Sequence, residues 1–399
     1  MKAPATSAVA TISRRAAARL RQGHVWVYRS DISEVRAAPG ELVSVADEHG
    51  NLVGTALYSS SSQIALRMIS AGPVRPEVFP ALVRDRLLAA LDYRRRLVPA
   101  AGTDSGRIVF SEADFLPGLV VDRYNDVASL QVLTQAMDRD DVRDVVITTL
   151  REQLHPAGIV ERVEARIREL EQLPPREPGL LWGEKAQTTF ALNGVRFHYD
   201  GLGGQKTGAF LDQRENYAAA ERYAHGDALD VFCYQGGFAL HLARRCSSVT
   251  AVDSSRPALE VAEQNEALNQ QPAGPAIEWI EANAFDLLKD YAAAGRKYDI
   301  VVLDPPAFAK SRRELGPALR GYKELNLRAL KMLRPGGVLV TCSCSFHVSE
   351  ADFVGVLREA AADVRRSPRL LEQRGQAQDH PMLLTVPETA YLKCMILRV

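Results

Sequence analysis

The run Ala228-Leu-Asp-Val-Phe-Cys-Tyr-Gln-Gly-Gly-Phe-Ala-Leu240 constrains the fold of this chain more than any other stretch. Ala228 to Phe232 is a short apolar run with Asp230 inside it, the pattern of a buried parallel strand. Gln235-Gly236-Gly237 breaks that strand, and Phe238 to Arg244 places apolar residues at helical spacing. Strand, glycine turn and helix make the first half of a βαβ unit, in which ligands bind at the carboxyl ends of the strands. Paired glycines let the backbone approach a ligand that a β-carbon would hold off. A second strand, Val249-Thr-Ala-Val252, ends at Asp253 roughly 20 residues further on, where a carboxylate can accept both ribose hydroxyls of an adenosine.

A dinucleotide site wants G-x-G-x-x-G, because a pyrophosphate must lie on the helix N-terminus. The turn Phe232-Cys-Tyr-Gln-Gly-Gly-Phe238 does not fit that spacing. It suits a ligand without phosphate, such as S-adenosylmethionine. The competing reading is an ordinary βα turn with a structural glycine pair.

At 399 residues the chain is long enough for two or three domains. A hydrophobic fraction of 46% and a charged fraction of 25% describe an ordinary soluble globular protein, and no apolar run approaches a membrane span. The formal net charge is 0, which argues against blanket polyanion binding. Charge is unevenly placed, however: residues 1–30 carry Lys2, Arg14, Arg15, Arg19, Arg21 and Arg29 and no acidic residue. A transit peptide is Arg-rich in the same way, but Val25-Trp-Val-Tyr28 continues directly into a patterned strand. The five cysteines (Cys233, Cys246, Cys342, Cys344, Cys394) are odd in number and lack C-x-x-C pairs. A reducing cytoplasm is therefore expected, with neither a disulfide framework nor a metal site.

Residues 1–72 read as a small β-rich module, with strands over 41–45, 52–57 and 63–69 and a basic helix over 14–22. That helix is either a solvated face or a nucleic-acid contact. Missing acidic partners and the adjacent Trp26 and Tyr28 favour RNA contact through phosphate charge and base stacking. After the linker Gly72-Pro-Val-Arg-Pro76, residues 73–190 read as an α+β domain with helices over 77–97 and 140–153 and no catalytic signature. Glu112 and Asp114 have no evident partners there and read as structural. From 191 the alternation of strand and helix predicts a parallel sheet, with later strands over 277–280, 299–303, 337–341 and 391–399. Asp230, Asp253, Asn283, Asp304 and Cys344 fall at successive strand ends, and five polar residues along one sheet edge describe a site.

Asp304-Pro-Pro follows an apolar strand, and its prolines fix the backbone where the strand leaves the sheet. A carboxylate held there can bind an amine or an amidine-like ring edge. Cys342 and Cys344 end the next strand among Ser, Thr and His, whereas Cys233, Cys246 and Cys394 read as inert buried thiols. Cys344 lies further past the strand end and is the better nucleophile. A thiolate beside a methyl donor and a carboxylate suggests methylation of a pyrimidine at C5, since addition of sulfur to C6 makes C5 electron-rich. A base within RNA would first be flipped into the pocket.

These residues carry a family resemblance. The chain resembles bacterial S-adenosylmethionine-dependent ribosomal RNA cytosine-C5 methyltransferases of the large-subunit type. The likeness runs through Gly23-His-Val-Trp-Val-Tyr28, Phe115-Leu-Pro-Gly-Leu-Val-Val-Asp-Arg123, Gly204-Gln-Lys-Thr-Gly-Ala-Phe-Leu-Asp-Gln-Arg-Glu-Asn216, the motifs above and Asp379-His-Pro381. It implies an α/β fold: a Rossmann-like class I methyltransferase domain over 191–399, preceded by a PUA domain over 1–72 and a central α+β domain over 73–190. It implies Cys344 as nucleophile with Asp304 beside it. It also implies a cofactor site of Gln213, Arg214, Asp230, Phe232, Gly236, Asp253, Ser254, Asn283, Ala284 and Asp304. The Asp304 segment lacks the second, product-releasing cysteine of other cytosine-C5 enzymes, so the base that removes the C5 proton is unassigned.

The expected partner is ribosomal RNA, met by Arg14, Arg15, Arg19, Arg21 and Trp26 and by the loop with Lys310, Arg312 and Arg313. No membrane and no metal is expected, and the oligomeric state is open, a homodimer among the options. Two rival readings stand beside this one. Asp-Pro-Pro also suits methylation at a nitrogen of guanine or an amino group, which would not need Cys344. A non-catalytic RNA-binding assembly protein would keep the fold as scaffold.

Overall fold

The computed structural model describes residues 8–97, 101–203, 209–269, 275–309 and 311–399. Two compact units divide the chain: residues 1–190 with 199–208 and 378–389 form the first, and residues 191–198, 209–377 and 390–399 form the second.

The first unit holds two sheets. In the six-stranded sheet the order is Trp26–Tyr28, Ile64–Ser70, Leu52–Tyr58, Leu42–Asp47, Val9–Ile12 and Ile32–Arg36. The helix Arg14–Arg21 starts where the Ser13 hydroxyl accepts from Ala16 N at 3.2 Å, an ordinary N-cap. It buries Ala16 and Ala17 in a core with Val27, Val43 and Leu66. The five-stranded sheet runs Gly179–Gly183, Gly158–Glu161, Val127–Val132, Leu119–Tyr124 and Ser105–Phe110. Helices Phe79–Leu97 and Asp140–Leu154 bury Phe79, Leu87, Val146 and Leu150 with it, and Leu42, Leu57 and Ile69 of the other sheet join that core.

The second unit is built on a seven-stranded sheet. Its order is Ile277–Glu281, Ser248–Asp253, Asp227–Val231, Tyr298–Leu303, Leu333–Ser343, Lys393–Arg398 and Arg369–Arg374. The first five strands are parallel, as the alternation predicts. The expectation of a parallel sheet needs correcting at its last strand. Lys393–Arg398 runs antiparallel to both of its neighbours. After the helix Glu350–Asp363 the chain crosses to the edge, where Arg369–Arg374 lies one place beyond its parallel neighbours. The return strand then fills the gap in the opposite sense. Arg369–Arg374 escapes the apolar pattern because it is an edge strand whose charged side chains resist further pairing.

Helices Leu315–Met332 and Glu350–Asp363 bury Tyr322, Leu325, Phe353 and Leu357 in one core with Leu303, Leu339 and Leu397. Sheet growth reverses between Asp227–Val231 and Tyr298–Leu303, the kind of switch point where open α/β sheets take their ligands.

One buried ion network stands out in the first unit. Arg143 donates to Asp138 at 3.0 Å and to Glu161 at 2.6 and 2.9 Å, and Arg168 reaches Asp138 at 2.9 Å. Removing one member of such a network strands a charge in low dielectric. Arg143→Met is therefore expected to lower the unfolding free energy of this unit by about 3 kcal/mol in urea titration. A change below about 0.5 kcal/mol would mean that Arg168, with Arg176 at 3.9 Å from Asp138 and 3.4 Å from Glu161, holds both carboxylates without it.

Candidate active site

The strand Asp227–Val231 ends in a turn with unusual backbone. Phe232 and Tyr234 both hold left-handed conformations, φ 68° and 50°, which cost a residue with a side chain about 1–3 kcal/mol each. Asp253 holds the turn in place. Its Oδ2 accepts from Tyr234 N at 2.9 Å, and its Oδ1 accepts from Ser255 N at 2.9 Å. Gly236 has φ 87°, and a β-carbon there would come within 2.8 Å of the Trp279 ring. At Gly237 a β-carbon would lie 2.5 Å from the Tyr217 ring. The room these glycines leave is thus taken by aromatic rings of the protein itself, which alters the expected reason for the pair.

Beside the turn lies a narrow cleft lined by Phe197, Phe210, Tyr217, Phe232, Tyr234 and Asp304 among others. The rings of Phe210 and Tyr234 lie 5.2 Å apart. Asp230 is fully buried just before the turn; Oδ2 accepts from Ala239 N at 2.9 Å, while Oδ1 has no hydrogen-bond partner. Burial first, and then the Asp304 carboxylate, push the Asp230 carboxyl well above its ordinary pKa. Paired carboxylates and aromatic faces favour a ligand that brings positive charge. The described residues lining the cleft include no Lys or Arg. S-adenosylmethionine, with a sulfonium and an ammonium and no phosphate, fits this donor set.

The other expected cofactor residues lie on the same unit. Gln213 and Arg214 are buried, and Gln213 Oε1 accepts from Asn216 Nδ2 at 2.7 Å. Ser254 is exposed directly after Asp253. Asn283 caps the helix Ala284–Ala293 by accepting from Phe285 N at 2.9 Å and Asp286 N at 3.4 Å, and Ala284 is buried behind it. Asp253 pairs in register with Glu281, which puts Asn283 at the same sheet edge.

Ser343 is the last residue of its strand and Cys344 the first beyond it, half-buried. The Cys344 thiol donates to Pro305 O at 3.8 Å, so it lies against the Asp304-Pro-Pro loop. Burial, then Asp304 and Asp212, raise this thiol to about 11, with Lys393 acting in the opposite sense. Cys342 is buried opposite Cys394 in the antiparallel register, and Cys233 and Cys246 are buried too. Sequence reasoning missed Asp212, whose Oδ2 accepts from Tyr391 Oη at 2.5 Å. It also missed Phe210 and Tyr217. The quoted Phe-Leu-Asp-Gln-Arg run contained the first two, but no periodicity marked them.

The expected RNA-binding residues divide into two groups. Arg14, Arg15, Arg312 and Arg313 are exposed. The expectation that the basic helix lacks acidic partners needs correcting, because Arg19 pairs with Asp31 at 2.9 Å and Arg21 with Asp47 at 2.8 Å. Trp26 is half-buried, its Nε1 donating to Glu112 Oε1 at 3.1 Å. Glu112 also takes Arg67 at 3.3 Å, and Asp114 takes Arg94 Nη2 at 2.8 Å, so both carboxylates have partners within their unit. Lys2, Lys310 and the segment Gly204–Gly208 lie outside the described residues. Among the described residues no cluster of His, Cys, Asp or Glu could hold a metal ion, and no helix is long and apolar enough to cross a membrane.

Asp253→Ala removes the tie to Tyr234 and a charged acceptor together. It is expected to weaken S-adenosylmethionine binding by about 1.5–3 kcal/mol in calorimetry, the scale of a hydrogen bond to a charged group. Unchanged affinity would place the ribose elsewhere.

Two family descriptions match the chain: a PUA-like domain over residues 10–71 and an S-adenosylmethionine-dependent methyltransferase over residues 150–398. Ribosomal RNA large subunit methyltransferase I of Photobacterium profundum is 36% identical over 381 residues, covering 94% of this chain and 95% of that protein. The protein of the same name from Tolumonas auensis is 36% identical over 386 residues, with 95% and 96% covered. The crystal structure of SMU.776 complexed with SAH shares the architecture, with a TM-score of 0.82 over 98% of this chain and 99% of that one at 18% identity. The chain belongs to the ribosomal RNA large subunit methyltransferase I family, which joins a PUA-like domain to an S-adenosylmethionine-dependent methyltransferase domain.

Proposed function

We propose that this enzyme methylates C5 of a cytosine in large-subunit ribosomal RNA through a transient bond from Cys344 to C6 of the base. The observation that carries this reading is the position of Cys344. It is half-buried at a strand end with its thiol 3.8 Å from Pro305 O, whereas the other four cysteines are buried. The name shared by the relatives supports ribosomal RNA as substrate, and the PUA-like match supports contact with RNA. In this reading residues 1–72 serve RNA binding, 73–190 form a central α+β domain, and 191–399 carry the chemistry.

When bound, S-adenosylmethionine supplies an electrophilic methyl group. The Cys344 thiolate adds to C6 as N3 gains a proton, which makes C5 nucleophilic. C5 takes the methyl group as the bond from that methyl to the sulfonium sulfur breaks and leaves a neutral thioether; the C5 proton then passes to a base, the C6–S bond breaks to return the Cys344 thiolate, and N3 gives back its proton to restore the ring. Asp304 hydrogen-bonds N3 and the exocyclic amine, which orients the base and stabilises the adduct. Asp253 and Ser254 hold the ribose, Asn283 and Ala284 lie by the adenine, and Gln213, Arg214, Asp230, Phe232 and Gly236 shape the rest of the cofactor site. A target base within RNA is flipped out first.

Arg14 and Arg15, with Arg312 and Arg313, meet phosphates in this reading, while Arg19 and Arg21 hold the module together through their carboxylates. Replacing Arg14 and Arg15 by Gln should flatten the salt dependence of RNA binding by about two phosphate contacts and leave cofactor affinity alone. An unchanged slope would make the helix a solvated face.

RNA carrying 5-fluorocytosine should trap the wild-type enzyme covalently, since fluorine at C5 cannot leave as a proton. Cys344→Ala should lose both trapping and methylation, and Cys342→Ala should keep most activity. With the thiol raised to about 11, the thiolate fraction grows about tenfold per pH unit below that value, so trapping should quicken as pH rises. If the wild type forms no adduct, covalent catalysis is wrong and the Asp304-Pro-Pro loop is the site of a nitrogen methyltransferase.

A further inference from the structure

A buried lysine stands behind the candidate nucleophile. Lys393 opens the strand Lys393–Arg398 directly opposite Ser343 and is only 9% exposed. Its Nζ donates to Ser345 O at 2.8 Å and to Val348 O at 2.9 Å. These carbonyls lie one and four residues past Cys344 and bracket the turn that follows it. The other side of the turn is also tied. Ser345 Oγ accepts from Phe308 N at 2.9 Å and Ala309 N at 3.2 Å, and lies 2.9 Å from Tyr322 Oη. Ser343 Oγ donates to the same phenol oxygen at 3.0 Å. Cys344 is therefore flanked by two fully buried serines that share one tyrosine, with an ammonium underneath.

Lysine is almost never buried without a charged partner, and Lys393 makes no ion pair among the described residues. Two carbonyls alone would be served as well by a neutral donor. What lysine adds is charge. We propose that Lys393 is the positioning residue of the nucleophile: its ammonium fixes the turn that presents the Cys344 thiol and faces that thiol with positive charge. The proposal rests on Cys344 being the reacting thiol.

Among the described residues, four titratable groups act electrostatically on the Cys344 thiol. Asp304 comes from the loop after Tyr298–Leu303, Asp212 from the turn Leu211–Gln213, Tyr322 from the helix Leu315–Met332, and Lys393 from the last strand. The two carboxylates oppose ionisation of the thiol and Lys393 favours it. Burial lowers the pKa of Lys393 itself, against the opposing influence of Cys344 and Glu350.

The test uses the full chain with Lys393→Met, which keeps length and removes charge. Iodoacetamide alkylation of Cys344 is followed by peptide mass spectrometry from about pH 7 to about pH 10. S-adenosylmethionine binding serves as the check on folding. Alkylation should slow about 3- to 10-fold at each pH, the effect of about half to one unit of thiol pKa. Methylation kcat should fall at least as far, with KM for the cofactor unchanged. An unaltered alkylation profile with intact cofactor binding overturns the proposal. Lys393→Arg keeps the charge but replaces the compact ammonium with a planar fork. Its alkylation profile should stay within about twofold of wild type while kcat drops, and a larger change overturns the proposal even if Lys393→Met does not fold. Alkylation needs no RNA. Failure of 5-fluorocytosine to trap the wild type would sink the covalent reading and with it the role of Lys393 as positioning residue, whereas an unaltered alkylation profile beside normal trapping would sink the Lys393 proposal alone.

Discussion

Two backbone amides, those of Tyr234 and Ser255, end on the carboxylate of Asp253, and the cleft depends on that arrangement. The first belongs to a turn whose residues Phe232 and Tyr234 hold backbone that side chains disfavour. Such a turn persists only where its surroundings over-determine it. Asp253 does this from one side, and the rings of Trp279 and Tyr217, seated where Gly236 and Gly237 lack β-carbons, do it from the other. With the turn fixed, Phe232 and Tyr234 become wall rather than loop, and Asp230 meets the Ala239 amide of the next helix. One carboxylate thus serves both the shape of the site and, in the proposed chemistry, its ligand.

Much of this was legible in the residues. Apolar runs marked the strands at 228–232, 249–252 and 299–303, and helical spacing marked the crossovers, because a buried parallel strand and an amphipathic helix each leave a local pattern. What escaped depends on distant contacts. Arg19 with Asp31 and Arg21 with Asp47 look unpaired along the chain because their partners arrive on neighbouring strands and turns. The charged edge strand Arg369–Arg374 has no apolar face to recognise. Lys393 reads as an ordinary interruption of an apolar run until the fold sets it opposite Ser343.

The resting state of the site is acidic. Asp212, Asp230 and Asp304 gather on one unit, and the thiol of Cys344 is held protonated by burial and by two of them. Because thiolates rather than thiols react with oxidants, the same field that keeps this thiol protonated also protects it from oxidation. Entry of a positively charged ligand relieves that field, so ionisation of the thiol and occupancy of the cleft are coupled by simple electrostatics.

The strand Lys393–Arg398 fills an interior place in the sheet, although it comes late in the chain. Its register bonds run to Leu333–Ser343 on one side and to Arg369–Arg374 on the other. Until those residues dock, the sheet has a slot with two open edges, each offering unpaired amides and carbonyls to any extended segment nearby. The slot is flanked by Val338–Ser343, an apolar run with strong β-propensity that ends just before Cys344. A nascent or truncated chain therefore carries its aggregation hazard at the strand that leads to Cys344, and the strand Lys393–Arg398 acts as the plug that removes it.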